Sequence, residues 1–376
     1  MRKIEAILGT VLVSFVLAYY AYQNLYKINP RSYLNNRVST IYANEGVTYK
    51  NLKVLEDILE KSDIDAKGLS EIGTYLENIY IISKDEYFTR EDSVIGILDP
   101  GFMYPIVLLK CKKYFHLDRD GVYILKEKYR EKYKQILKNQ DLFMVPDRGN
   151  LLLGTRDREL LELAQEEHYL NPKVVGILEK ERAKNLGVFM VNLDRIKLLG
   201  FDKLFISGNI NKDYLTGELV VGGNNRIIKS FVKYKNSPSQ EKQPLVNGIY
   251  ISENDKNDID DFFMFLGYFL KGYDLGGKLK EKPEKIPYKP QEKKGYINIM
   301  EDQFFYGNMY LNNFINSKND LGTFEISGYA KRKALIFEGR MKTKNLIRVI
   351  KEMEIGGQND KNIQYPNREI RRVQTS

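Results

Sequence analysis

The chain has 376 residues, of which 43% are hydrophobic and 29% charged, and its formal net charge is +9. Such a composition excludes a largely disordered chain, and the length suffices for two domains at roughly 150 residues each. The single cysteine, Cys111, excludes an intramolecular disulfide and a cysteine-based zinc site.

Arg2 and Lys3 precede an uncharged run of 21 residues from Ala6 to Tyr26. A helix rises about 1.5 Å per residue, so this run spans the roughly 30 Å hydrocarbon core of a bilayer. Its centre, Ile7 to Ala18, is strongly apolar, and Tyr19, Tyr20, Tyr22 and Tyr26 cluster at the far end, where aromatic rings suit the headgroup region. Cleavage as a signal peptide would need small residues three and one before the cut. Ala21 could fill the second position, but Tyr19 is too large for the first. No Cys follows the run, which excludes a lipoprotein anchor. Residues 1–26 therefore read as a short cytoplasmic tail and an uncleaved single-pass anchor. Lys27, Arg31 and Arg37 follow the run, so basic residues flank it on both sides. The very short basic tail before an apolar run resembles an export signal and places the bulk of the chain outside the cytoplasm.

Residues 27–170 read as a first α+β domain. Asn29 to Val38 is a juxtamembrane linker, Ser39 to Ala43 a strand, and Lys50 to Glu60 a helix with Leu52, Val54, Leu55, Ile58 and Leu59 at helical spacing. Gly68 to Ile79 repeats that spacing with Leu69, Ile72, Leu76 and Ile79. Ser93 to Asp99 and Tyr104 to Cys111 read as strands separated by Pro100-Gly101, with Cys111 a buried thiol. Asp141 to Val145 and Leu151 to Gly154 flank a Gly-containing turn and predict a hairpin, with a helix starting near Thr155.

Residues 171–357 read as a second α+β region with an internal duplication. Gly187 to Asn192 parallels Gly295 to Met300, Ile206-Ser207-Gly208 recurs as Ile326-Ser327-Gly328, and Leu219 to Gly223 parallels Leu335 to Gly339. Helical stretches follow at Arg226 to Tyr234 and Lys344 to Met353. The repeated units are 187–236 and 295–354, each a strand, a hairpin and a helix. Between them lie a strand at Val246 to Ile251, a very apolar helix at Asp258 to Leu270, and a Lys/Pro-rich loop at 276–294 with Lys278, Lys280, Lys282, Lys285, Lys289, Lys293 and Lys294. Residues 358–376 form a polar tail. The fold class is α+β: a transmembrane helix, then mixed or antiparallel sheets with helices packed on one face.

The run Ala6 to Tyr26, the hairpin around Val145 to Leu153 and the paired units at Gly187 and Gly295 resemble a broad class of bacterial signal-anchored extracytoplasmic proteins of unknown function, built from repeated strand–hairpin–helix units. The resemblance spans most of the chain as a pattern and implies no catalytic residue.

The chemistry-bearing residues read as structural. His116 and His168 have no second His or Cys at metal-ligand spacing. His116 falls at a strand end or on the surface. His168 falls near a helix end, where a cation is favoured. Ser207 and Ser327 precede Gly in a strand-to-turn context. Gly222-Gly223-Asn224-Asn225 could cradle an anion but serves equally as a turn. Asp118-Arg119-Asp120-Gly121 lacks the glutamate that closes a calcium loop. Glu253, Asp255, Asp258, Asp260 and Asp261 sit where helix-capping carboxylates belong. No catalytic, cofactor or metal residue is assigned, and no cofactor is expected.

The +9 charge would favour anionic partners, but basic and acidic residues are interleaved. The sequence thus predicts a single-pass cell-envelope protein whose extracytoplasmic region binds or scaffolds without catalysis. Its partners would be the membrane and envelope proteins or an anionic polymer or lipid. No nucleic-acid motif is present, and nucleic acid is not an expected partner. Two alternatives stand beside it: a carboxylate-dependent glycan or peptidoglycan hydrolase, and a cytoplasm-facing protein contacting anionic lipid. Phe262 to Leu270 could be core or an interface.

Overall fold

Apolar residues at every second position make one face of a strand buried, because successive side chains point to opposite faces. In Ile41, Ala43, Tyr80, Ile82, Ile95 and Ile97 this period is regular, and all six are buried. The computed structural model describes residues 26–35, 38–84, 94–132, 140–192, 201–223, 243–244, 250–251, 295–300, 303–313, 315, 317–331 and 334–357. The predicted anchor up to residue 25, the stretches 226–234, 258–270 and 276–294, and the tail 358–376 lie outside the described residues.

The strands are β1 (Thr40–Glu45), β2 (Asn78–Ser83), β3 (Val94–Asp99), β4 (Phe115–Leu117), β5 (Tyr123–Leu125), β6 (Phe143–Asp147), β7 (Asn150–Gly154), β8 (Val188–Asn192), β9 (Phe201–Ile210) and β10 (Tyr214–Gly223). After them come β11 (Gln243–Pro244), β12 (Tyr250–Ile251), β13 (Gly295–Met300), β14 (Gln303–Tyr310), β15 (Thr323–Lys331) and β16 (Ala334–Lys342). Fourteen of these form one antiparallel sheet in the order β4-β5-β6-β7-β3-β2-β1-β8-β9-β10-β16-β15-β14-β13, and β11 pairs with β12 separately. Because β8 pairs with β1, the sheet runs unbroken across residues 170 and 171.

The helices are α1 (Tyr49–Lys61), α2 (Leu69–Ile72), α3 (Tyr104–Tyr114), α4 (Glu127–Lys132), α5 (Asp157–Gln165), α6 (Pro172–Glu181) and α7 (Thr343–Gly357). They cover both faces of the sheet, where the sequence suggested one. Leu160 and Leu163 of α5 and Leu178 of α6 pack with Ile97, Leu152 and Val188 on one face. Tyr104 and Val107 of α3 pack with Met144, Leu151 and Leu98 on the other. Val349 of α7 packs with Phe324 and Met341, which the strand register places on the α3 side. Both faces need cover because Leu151, Leu152 and Leu153 are consecutive and apolar.

Two local readings are corrected. Tyr104 to Cys111 is helical, not a strand. Pro105 sits in its first turn, where a missing N–H costs nothing, and Tyr104, Val107 and Leu108 turn inward while Ile106 and Leu109 turn outward. Cys111 is accordingly half-buried on that helix, and burial pushes its thiol up. The helix expected over Gly68 to Ile79 stops at Ile72, and the alternation of Tyr80 and Ile82 starts β2 at Asn78. The strand expected at Val246 to Ile251 is strand at Tyr250–Ile251, and residues 246–249 lie outside the described residues.

The Ile-Ser-Gly repeat occupies like positions: Ser207 lies opposite Glu218 in the β9–β10 hairpin, and Ser327 opposite Glu338 in the β15–β16 hairpin. The Gly187 and Gly295 stretches do not, since β8 is central and β13 is an edge strand. Gly187 has its own requirement. Its φ is +77°, and a Cβ there would stand 2.3 Å from the Ala43 carbonyl oxygen on β1. Gly187→Ala is expected to destabilise the fold by roughly 1–2 kcal/mol, read as a lower urea midpoint with unchanged slope.

Candidate functional site

Three strands end on the same pattern: apolar, any, apolar, any, acid. Ile41, Ala43 and Glu45 follow it in β1, Ile95, Ile97 and Asp99 in β3, and Phe143, Val145 and Asp147 in β6. The two-residue period turns each acid toward the same face as the apolar residues before it. Register extends the polar row: Asn78 lies opposite both Glu45 and Asp99, and Asn150 opposite Asp147. Three carboxylates are thus driven into the face that α5 and α6 cover, and each needs a partner there.

The partners come from residues 27–33. Lys27 Nζ lies 2.8 Å from Asp99 Oδ1, with the two side chains only 8% and 2% exposed. Asp99 also accepts from Asn78 Nδ2 at 2.7 Å and from the Gly101 N–H at 2.9 Å. Arg31 grips Glu45 with two bonds, Nε to Oε1 at 2.7 Å and Nη2 to Oε2 at 2.6 Å, while the Tyr80 hydroxyl donates to Oε1 at 2.7 Å. Such a planar two-bond grip is what a guanidinium offers and an ammonium does not. The Tyr33 hydroxyl donates to Asp147 Oδ2 at 2.6 Å, and Arg148 Nε reaches Asp147 Oδ1 at 3.2 Å.

The backbone of this segment is held as well. The Ile28 N–H donates to the Arg148 carbonyl at 3.0 Å, and Asn150 Nδ2 donates to the Ile28 carbonyl at 3.0 Å. Asn29 caps a 3-10 turn at Pro30–Tyr33 by accepting from the Arg31 N–H. Tyr33 and Leu34 are among the largest fully buried side chains described. The segment expected to be a juxtamembrane linker is instead packed into the body, with Pro30, Ser32, Tyr33, Leu34, Asn35 and Val38 all buried.

Electrostatics follow the geometry. Burial alone raises the Glu45 carboxyl, but hydrogen bonds from Arg31 and Tyr80 outweigh it and leave the group below the usual carboxylate range. The bond to Glu45 raises Arg31 further, and burial raises the Tyr33 and Tyr80 phenols, with the carboxylates beside them adding to the effect. Tyr104 is pushed up to about 12, by burial first and then by the neighbouring Tyr26.

Beside this clasp runs a cavity of about 530 Å³ lined by Ile28, Asn29, Ser32, Arg148, Glu167 and His168, among others. His168 is not a surface cation at a helix end. Its side chain is 6% exposed, its ring packs against Tyr33 at a tilt of 59° with centroids 4.4 Å apart, and Nε2 lies 3.7 Å from Asp147 Oδ2. Neither ring nitrogen has a hydrogen-bond partner at that distance, and burial lowers its basicity more than Asp147 raises it.

The other candidates lie apart from one another. His116 is exposed on β4. Ser207 and Ser327 are buried within strands instead of at strand-to-turn junctions, because the hairpins extend past them. Ser207 Oγ donates to the buried Glu181 at 2.8 Å. Gly222 and Gly223 end β10, and Asn224 and Asn225 are outside the described residues. Asp118 to Gly121 is a tight turn in which Asp120 and Gly121 both have positive φ. Glu253, Asp255, Asp258, Asp260 and Asp261 are outside the described residues, and among the described residues no three His, Cys, Asp or Glu side chains converge as a metal site. What sequence reading missed was Lys27, Arg31, Tyr33 and their acids, although the acid at the end of three alternating strands marked them.

No family model matches the chain, and no curated protein matches it. Among solved structures, three crystal forms of TP0453 are similar. Form I has a TM-score of 0.36 and 9% identity, covering 87% of this chain and 98% of that one. Form III has 0.36 and 10%, covering 86% and 98%, and form IV has 0.34 and 10%, covering 88% and 99%. At these values the antiparallel α+β assignment rests on this chain's own strand register.

Proposed function

We propose that this chain is a single-pass, membrane-anchored extracytoplasmic protein of the cell envelope that acts by binding or scaffolding, without catalysis. The observation that supports this most is the clasp. The uncharged run ends at Tyr26, and Lys27, the next residue, is already bound to the buried Asp99. An anchored body with no flexible spacer is held at the membrane surface, a geometry suited to presenting a fixed binding face. Among the described residues no helix is long and apolar enough to cross a membrane, and the proposed anchor lies outside them up to residue 25.

The test pairs reporters with extraction. A reporter active only outside the cytoplasm, fused after Ser376, should be active, and a cytoplasm-only reporter should be silent. The untagged chain should stay with membranes through an alkaline wash. Activity of the inside reporter would overturn the orientation, and release by the wash would overturn the anchor. The strand order also supports a duplication on a larger scale than units 187–236 and 295–354. Outward from the centre, β1-β2-β3-β7-β6-β5-β4 matches β8-β9-β10-β16-β15-β14-β13. The helices depart from that match, since α5 and α7 lie on opposite faces.

A further inference from the structure

We propose that the outward face of α3 is a second membrane contact, resting on the lipid headgroup layer beside the point where the anchor meets the body. This inference rests on the anchored reading above. Ile106 and Leu109, one helical turn apart on the side of α3 away from the core, are 45% and 70% exposed. Phe102, in the turn leading into the helix, is also exposed. Exposed large apolar side chains grouped on one helix face mark a contact surface more often than isolated ones do.

Two features select lipid as the occupant. The first is position. Asp99 opens the turn that leads into α3, and its carboxylate is the one that holds Lys27. Tyr26, the last residue of the uncharged run, lies close enough to Tyr104 on α3 to act on its phenol. The second is charge. Lys110, Lys112 and Lys113 are all exposed on the same helix, and the Lys110 ammonium lies 3.6 Å from the centre of the Tyr75 ring. Apolar side chains rimmed by lysines on a short helix fit an interface with anionic headgroups.

The experiment uses the full chain with Cys111→Ser and Leu109→Cys, the latter labelled with an environment-sensitive fluorophore. The protein is reconstituted into mixed phosphatidylcholine and phosphatidylglycerol vesicles that carry a quencher on the acyl chains near the headgroups. A Lys173→Cys chain, labelled on the exposed start of α6 across the sheet, is the control. An interfacial helix sits about 5–10 Å into the headgroup boundary, so lipid-borne quenching at position 109 should exceed the control by at least about threefold. Adding Ile106→Glu to the labelled chain should bring it down to the control. Retention through an alkaline wash reports the anchor separately. A retained chain whose position 109 is quenched no more than the control overturns the contact and leaves the anchored reading standing. A chain that washes off overturns the anchored reading, and quenching measured before the wash still decides the contact. Shielding of position 109 from aqueous iodide without lipid quenching assigns the face to a protein and overturns the lipid occupant.

Discussion

Arg31→Met is expected to lower the unfolding free energy by about 3 kcal/mol, because it strands a buried carboxylate that has lost both bonds of its guanidinium partner. Glu45 is the group left behind, with only the Tyr80 hydroxyl still donating to it. Equilibrium urea unfolding in detergent, followed by far-ultraviolet circular dichroism, would show the loss as a lower midpoint at constant slope. The double variant Arg31→Met with Glu45→Gln should recover most of the loss, since a neutral amide can still accept from Tyr80 and no charge is left unpaired. If the double variant is as unstable as the single one, the cost lies in packing of the arginine stem and not in the ion pair. The single variant should also loosen residues 27–35, so proteolysis there should become fast while the rest of the sheet stays protected.

Legibility followed the period of the pattern. Strands with clean alternation, such as β1 and β3, and a helix with a full apolar stripe, α1, stand within a residue or two of where the sequence placed them, while α7 starts as expected and runs past Met353 to Gly357. Tyr104 to Cys111 failed because a short apolar run has no period until one knows which members are buried. Ile106 and Leu109 look like core and are exposed. The linker at Asn29 to Val38 failed for the opposite reason. Pro30, Ser32 and Asn35 have the composition of a surface turn, yet all three are buried, because Arg31 and Tyr33 between them reach inward acids and hold the segment on the sheet. The candidate site was invisible to motif searching because no catalytic or metal signature is built from one Lys, one Arg and one Tyr. Only the three strands ending in an inward acid announced it, and that signal is read across strands that lie far apart in sequence.

Acidification is expected to weaken the same region through His168. Its folded-state basicity is depressed, mainly by burial, while the unfolded chain titrates near about 6.5. Above that pH both states carry a neutral ring and His168 contributes no pH dependence. As pH falls through about 6.5, the unfolded chain takes up a proton that the folded one resists. Stability then drops by up to about 1.4 kcal/mol per pH unit until the folded-state value is reached. Glu45 acts in a separate window, since its depressed carboxyl contributes stability that is lost only as pH falls below about 4.3. The groups around His168 set what happens once it is charged: Tyr33 packs against it at a tilt, Asp147 attracts it from 3.7 Å, and Arg148 opposes it while Glu166 favours it. Because Asp147 already accepts from Tyr33 and Arg148, an imidazolium would compete for a carboxylate that those two residues share. His168→Phe keeps a ring against Tyr33 and removes the titration. Urea midpoints measured from pH 7.5 to 5.5 should fall for the natural chain and stay nearly level for the variant. Equal slopes in both would assign the acid sensitivity elsewhere, whereas a level variant would tie it to the ring that packs on Tyr33.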